Sequence, residues 1–400
     1  MLIMSTGTME GSRKIIGTSS VEEYKSDSKW IFSLVIEGVK RVLEVADEFY
    51  LSDRLLGRGT KVLEVKCIVE EVVDTTQYTT ITPEQSWKEK HLVLKISFPS
   101  SERTKENELI DAARAHAKAH DADWALKHLP LVVACIDTQD RDADHAEKNT
   151  LQNRLKALLK EAYVIRNLHI TVLEKLEPLS SLRRATEFAQ VFYDILQIHR
   201  WLYEHPKILH RDLSMHNIMI RREGDKVYGV LNDFNLSSFR AQMDKDRTGT
   251  KPFMSQDLLD AKWDKRHLYR HDLESLFYII LIVSCHYSAP TIRAPSRPFK
   301  SWFDRADQDV AHAKLLFLQS TAPELPIQTY FKGFAPWIRD IHEMLGMGYK
   351  SRPGDFDGVE AECYDWDTFD GNVTYTEMME VMGMFKNKDL VTRWDGGDEY

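Results

Sequence analysis

His210-Arg211-Asp212-Leu213-Ser214-Met215-His216-Asn217 sets a carboxylate and a carboxamide in one short polar loop, with four residues between Asp212 and Asn217. Ile218-Met219-Ile220 follows as a short strand. Taken alone, such an octapeptide is equally a solvated turn whose basic and acidic side chains face water. The next segment shifts the balance. Val230-Leu231-Asn232-Asp233-Phe234-Asn235 puts an aspartate at the end of an apolar strand. Mg2+ takes hard oxygen ligands, commonly one or two carboxylates completed by phosphates, and Asn217 with Asp233 would supply such ligands. Asp233 by itself is an ordinary strand-end turn residue; behind the octapeptide, the ligand reading outweighs that one.

Upstream, Leu55-Leu56-Gly57-Arg58-Gly59-Thr60-Lys61-Val62 sets two glycines between apolar segments. Small residues let backbone N–H groups approach phosphates. Lys95 lies on an otherwise apolar strand, His91-Leu92-Val93-Leu94-Lys95-Ile96-Ser97. A lysine there needs an acidic partner if it is buried. The following helix offers Glu106 and Glu108, which point about 200° apart, so only one can face Lys95. Glu108 is preferred, because Leu109, Ala112 and Ala113 beside it look like the packed face; Glu106 stays open, as does a pair of solvated helix charges. His271-Asp272-Leu273-Glu274 precedes an apolar helix, where Asp272 can cap orphan N–H groups.

These residues, in this order, resemble the protein kinases. His-Arg-Asp with Asn217 matches their catalytic loop, and Asp233-Phe234-Asn235 matches their Asp-Phe-Gly. Gly249-Thr250-Lys251-Pro252-Phe253-Met254-Ser255-Gln256-Asp257 matches, without gaps, the end of a Ser/Thr kinase activation segment. Within the kinases, LLGRGTKV, HRDLSMHNIMI, GVLNDFNLS, RTGTKPFMSQDLL and YRHDLESLFYI resemble the fungal-type protein kinase family over about residues 50–350. The resemblance implies an α+β, bilobal kinase fold with a small β-rich N-lobe and a larger α-helical C-lobe. It implies transfer of the ATP γ-phosphoryl group, with Mg2+, to Ser or Thr of a protein substrate. Asp212 would take or orient the hydroxyl proton, and Thr250 would sit beside it. Asn217 and Asp233 would hold the metal. Lys95, paired to Glu108, would position the phosphates under Gly57, Gly59 and Val62. The family's Asp272 begins the central helix and anchors the catalytic-loop backbone. Asn235 replaces a usual Gly or Asp, Ser214 stands where Ser/Thr kinases carry a lysine, and the third loop glycine is missing. Those departures keep two alternatives in view: a pseudokinase that binds nucleotide or partners, and a small-molecule kinase.

Composition fits this reading. The chain has 400 residues, 43% hydrophobic and 29% charged, with net charge −9. An acidic balance argues against a general nucleic-acid binder, which needs surplus cations against phosphates. The four scattered cysteines form no disulfide or zinc pattern. The longest apolar run, Leu276 to Val283, is far short of the roughly 20 residues of a membrane span, and residues 1–14 lack a secretory pattern. An intracellular protein, cytoplasmic or nuclear, with no membrane partner is expected; the oligomeric state is not legible.

Residues 30–50 carry apolar side chains at helical spacing, and residues 61–73, 91–98, 129–137 and 168–176 read as strands. Residues 105–120 read as a helix, and 138–165 as a charged loop closed by a helical segment. Long helical periods follow at 182–204, 267–285 and 306–319. The expected division is a lead-in extension with a helix at 1–50, an N-lobe at 51–178, a C-lobe at 179–385 and a frayed acidic tail at 386–400.

Overall fold

The computed structural model describes residues 21–26, 29–51, 59–73, 81–137, 158, 166–243, 245–321, 324–354 and 359–393. The chain divides into two compact units, Met1–Arg103 with Leu131–Lys175, and Thr104–Pro130 with Leu176–Tyr400. The α+β class expected from the sequence is the class observed. The division runs differently from the expected boundaries, because residues 104–130 belong with the helical unit.

The first unit is one antiparallel sheet of seven strands: β1 Val21–Ser26, β2 Lys29–Ile36, β3 Val39–Leu51, β4 Lys61–Val72, β5 Leu92–Ser97, β6 Val132–Asp137 and β7 His169–Glu174. Their order is β1-β2-β3-β4-β5-β7-β6. Alternation drives it. On β4, Leu63, Val65 and Cys67 are buried while Val62, Glu64 and Lys66 are not, because successive side chains leave a strand on opposite faces. The buried face joins Phe32, Leu34, Leu43, Leu94, Ile170, Val172 and Trp87 in one apolar cluster.

Residues 30–50 are not a lead-in helix. They form the β2–β3 hairpin, closed by Ile36 opposite Val39. The turn residues Glu37 and Gly38 have φ of 49° and 73°, the left-handed pair that a two-residue hairpin needs. Trp-Ile-Phe and Val-Ile on one side, and three valines on the other, fit a half-buried pleated surface better than a helix.

The second unit is built on helices α1 Glu106–Ala119, α2 Ala185–Glu204, α3 Tyr269–His286, α4 Asp307–Gln319, α5 Ala335–Ser351 and α6 Tyr375–Met382. The hairpin β8 Ile218–Glu223 and β9 Lys226–Leu231 packs on α2. Gly229 makes that approach possible, since a Cβ there would lie 2.8 Å from the Val191 carbonyl oxygen. Every residue of α3 is buried, as its continuous apolar run requires. Among the described residues no helix is long and apolar enough to cross a membrane.

The tail differs from expectation. Met384–Phe385 pairs with Lys388–Asp389, and the next residues dock on α2. Gln190 donates to the Val391 carbonyl at 2.9 Å, and Arg393 pairs with Asp194 at 3.1 Å. A buried Asp194 needs that cation, so the segment to 393 is tied down by charge. The helical segment expected at 151–163 lies, apart from Leu158, outside the described residues.

Candidate active site

The loop 210–217 is organised by a neutral histidine. His210 is buried against Phe234, ring centroids 5.2 Å apart, with Nε2 at 3.0 Å from the Asn232 carbonyl. A carbonyl only accepts, so Nε2 carries the proton and Nδ1 is left to accept from the Asp212 N–H at 3.4 Å. Burial pushes this imidazole down to about 4, and the geometry demands the same neutral form.

Arg211 holds φ of 69°, a strained value for a side-chain-bearing residue. Its N–H donates to Asp272 Oδ2 at 2.9 Å. Asp272, at the first turn of α3, also accepts from His199 Nε2 at 2.8 Å and His267 Nε2 at 2.9 Å. Burial alone would raise this carboxyl, but His267 and His199 hold it well below the usual range. The Asp272 carboxylate therefore fixes the loop backbone at the residue before Asp212.

Three hydrogen bonds from two side chains then orient Asp212. Thr250 Oγ1 donates to its Oδ1 at 2.8 Å. Asn217 Nδ2 donates to its backbone carbonyl at 2.7 Å and to Oδ2 at 3.3 Å. Asn217 is joined to the strand end in turn, its carbonyl accepting from Asn232 N at 2.8 Å. With the amide nitrogen committed to Asp212, the other end of the Asn217 side chain is an oxygen. One residue beyond Asn232, Asp233 takes left-handed geometry, φ 64°, and accepts from Asn235 N at 3.3 Å. An amide oxygen and a carboxylate are hard donors that fit Mg2+. Among the described residues no group of three or more His, Cys, Asp or Glu could hold a metal ion, so a metal here would draw its other ligands from phosphate and water.

The segment after Asp233 is anchored at both ends. Phe234 N donates to Glu106 Oε1 at 3.0 Å. Phe253 and Met254 N–H both donate to the Thr250 carbonyl, at 2.9 and 3.1 Å, closing a turn. Gly249 has φ of +140°, and a Cβ there would meet Met254 Cγ at 2.7 Å. Asp257 pairs with Arg270 at 2.7 Å and with Arg352. Burial alone would raise the Asp257 carboxyl; Arg270 and His271, with Arg352, hold it far below its ordinary value.

Of the residues expected at the nucleotide, Gly57 lies outside the described residues. Gly59 is left-handed at φ +51°. Val62 stands directly opposite Lys95 across β4–β5, and Thr171 stands opposite Lys95 across β5–β7. Register partners share a face, so Lys95, 5% exposed, lies between Val62 and Thr171 on one side of the sheet.

Glu108 is a correction. It lies on the exposed face of α1, 3.6 Å from Lys105. The packed face is Glu106, Leu109, Ile110, Ala113 and Ala117, because the apolar stripe continues through Ile110 rather than Ala112. Glu106 is the buried acid of this helix. Sequence reading also missed His199, His267 and Arg352. The partners of His199 and Arg352 lie 73 and 95 residues away, and His267 lies five residues before Asp272.

Residues 13–284 match a family described as fungal protein kinase. No curated protein matches the chain. Among solved structures it is similar to vaccinia related kinase 3, at 12% identity, over 76% of this chain and 81% of that one, with a TM-score of 0.43.

Proposed function

The chain belongs to the fungal protein kinase family, and from that premise we propose that it is an active Ser/Thr kinase, transferring the γ-phosphoryl of ATP to hydroxyls of protein substrates. The observation that carries this is the Thr250–Asp212–Asn217 arrangement, in which a carboxylate is held at both oxygens. A carboxylate so placed can accept the proton of an incoming hydroxyl or aim that hydroxyl at phosphorus. Thr250 supports a Ser/Thr acceptor and a docking segment for peptide, which also weighs against a small-molecule acceptor.

Asn217 and Asp233 would hold Mg2+, whose charge offsets that of the phosphates. Gly59 and Val62 would border the nucleotide, and Lys95 would pair with its phosphates. Glu106, rather than Glu108, is the acid proposed to complete that set. Ser214 is buried and supplies no cation, so phosphate stabilisation would rest on Lys95 and on the metal when bound. None of the four cysteines is disulfide-bonded, which suits a reducing compartment, cytoplasm or nucleus.

The test is purified protein with radiolabelled ATP, Mg2+ and a generic basic protein acceptor, beside D212N. Label on Ser or Thr from wild type but not from D212N supports the proposal. If no label moves yet Mg2+-ATP raises the melting temperature, the result points to a nucleotide-binding pseudokinase or to an enzyme that lacks its acceptor or activator. Absence of both removes Lys95 and Gly59 from any nucleotide site.

A further inference from the structure

Lys314, on α4, is 0% exposed. Its ammonium donates to the Pro252 carbonyl at 3.0 Å and to the Met254 carbonyl. It lies 3.9 Å from the ring centroid of Tyr278 and 5.0 Å from that of Trp302. Among the described residues no carboxylate comes within ion-pair distance of it. Glu274 is the acid that acts on it electrostatically, and that carboxylate is already occupied, accepting from Gln256 N at 2.8 Å and from the Tyr278 and Tyr349 hydroxyls at 2.7 Å each.

A buried lysine held by carbonyl dipoles and ring faces rather than by a counter-ion is an expensive way to fill space, since a methionine would pack equally well without desolvating a charge. Its two hydrogen bonds are the distinguishing return. They go to the carbonyls of the same turn whose first residue is Thr250. That turn is closed by Phe253 N and Met254 N on the Thr250 carbonyl, and its Thr250 hydroxyl reaches Asp212 at 2.8 Å.

We propose that Lys314 is a positioning residue for the acceptor side of the reaction, holding the 250–254 turn so that Thr250 stays on Asp212 and an incoming peptide meets a preformed edge. The inference rests on reading 249–257 as the acceptor-docking segment.

The experiment compares wild type with K314M, which keeps length and bulk but removes the donors. Hydrogen exchange over residues 249–256 and steady-state kinetics with protein acceptor and ATP are both read. Loss of two hydrogen bonds, together worth roughly one decade, predicts exchange of the Phe253 and Met254 amides about tenfold faster. The acceptor KM should rise by about tenfold while the ATP KM moves less than about twofold. Unchanged exchange and unchanged acceptor KM overturn the proposal. Should K314M fail to fold, K314Q, which retains an amide donor, is read by the same two measurements. A wild type that transfers no phosphoryl group overturns the catalytic part together with the kinase reading. Exchange over 249–256 then still decides whether Lys314 holds the turn.

Discussion

Thr250 and Asp212 are 38 residues apart in sequence and joined by a 2.8 Å hydrogen bond, hydroxyl to carboxylate. Asn217 holds the other carboxylate oxygen. The side chain that would take the acceptor proton is thus fixed before any substrate arrives. D212N keeps the shape and loses the acceptor. It should lower phosphoryl transfer by about 10²–10⁴-fold and leave the Mg2+-ATP thermal shift intact. T250V should lower transfer by about tenfold, and T250S should restore it, because one hydrogen bond to a charged group is at issue. Transfer by T250V equal to wild type would remove Thr250 from the site.

Buried neutral histidines make the fold acid-sensitive. Burial takes His210 down to about 4 and His271 to about 3, and lowers His267 as well. The unfolded chain binds protons near 6.5 while the folded chain does not, so stability is fully present above about pH 6.5 and is lost as pH falls toward 4. At pH 5 His210 and His271 each cost about 2 kcal/mol by this linkage, and His267 acts in the same direction. Urea midpoints measured from pH 7 to pH 5 should fall steadily. A flat profile would mean that these rings are solvated or ion-paired as cations.

How much of this was legible depended on whether the chemistry was local. The octapeptide at 210–217 and the strand-end Asp233 are contiguous, and each position is chemically constrained, so their order alone was informative. The same holds for α3, whose apolar run admits only burial. The β2–β3 hairpin was misread because valines and isoleucines fell by coincidence at helical spacing, and Glu37-Gly38 is a weaker turn signal than Asn-Gly. On α1 the choice between Glu106 and Glu108 turned on helical phase, which Ala112 obscured and Ile110 would have settled. Arg352 serves Asp257 from 95 residues away, and no local pattern announces such a partner.

Those two glutamates give a clean comparison. Glu106 is 3% exposed and accepts from Phe234 N, directly after Asp233, whereas Glu108 faces solvent. E106Q should reduce kcat/KM for ATP by about ten- to a hundredfold, the weight of hydrogen bonds to a buried charge. E108Q should stay within about twofold, as exposed pairs contribute little. The reverse ranking would restore Glu108 and show that α1 turns its other face inward when the protein acts.

Lys314 adds an alkaline counterpart to the histidine effect. Burial lowers its ammonium from 10.5 to about 7, with Glu274 acting in the opposite sense. The penalty for carrying this charge is complete below pH 7, where both folded and unfolded chains bind the proton. Between about 7 and 10.5 the unfolded chain binds it and the folded chain does not, so stability rises with pH. Wild type should therefore show a rising urea midpoint between pH 7 and pH 9, and K314M should lose that rise. Parallel profiles for the two proteins would mean that the buried amine stays protonated throughout.

Gly249 and Gly224 separate backbone strain from a role at the site. Both have positive φ, +140° and +58°, but only Gly249 is crowded. A Cβ at Gly224 would meet nothing within 4 Å, and one at Gly249 would press on Met254, the residue whose carbonyl Lys314 holds. G224A should therefore cost about 1 kcal/mol of stability, the ordinary left-handed penalty for a residue with a Cβ, and leave kinetics alone. G249A adds strain of about 1–3 kcal/mol at the turn itself, and a displaced Met254 moves both the N–H that donates to the Thr250 carbonyl and the carbonyl that Lys314 holds. The expected signature is a raised acceptor KM at unchanged ATP KM, beyond anything its melting temperature explains. If G249A loses only stability, in the manner of G224A, the 249–254 turn is a structural feature and acceptor docking lies elsewhere.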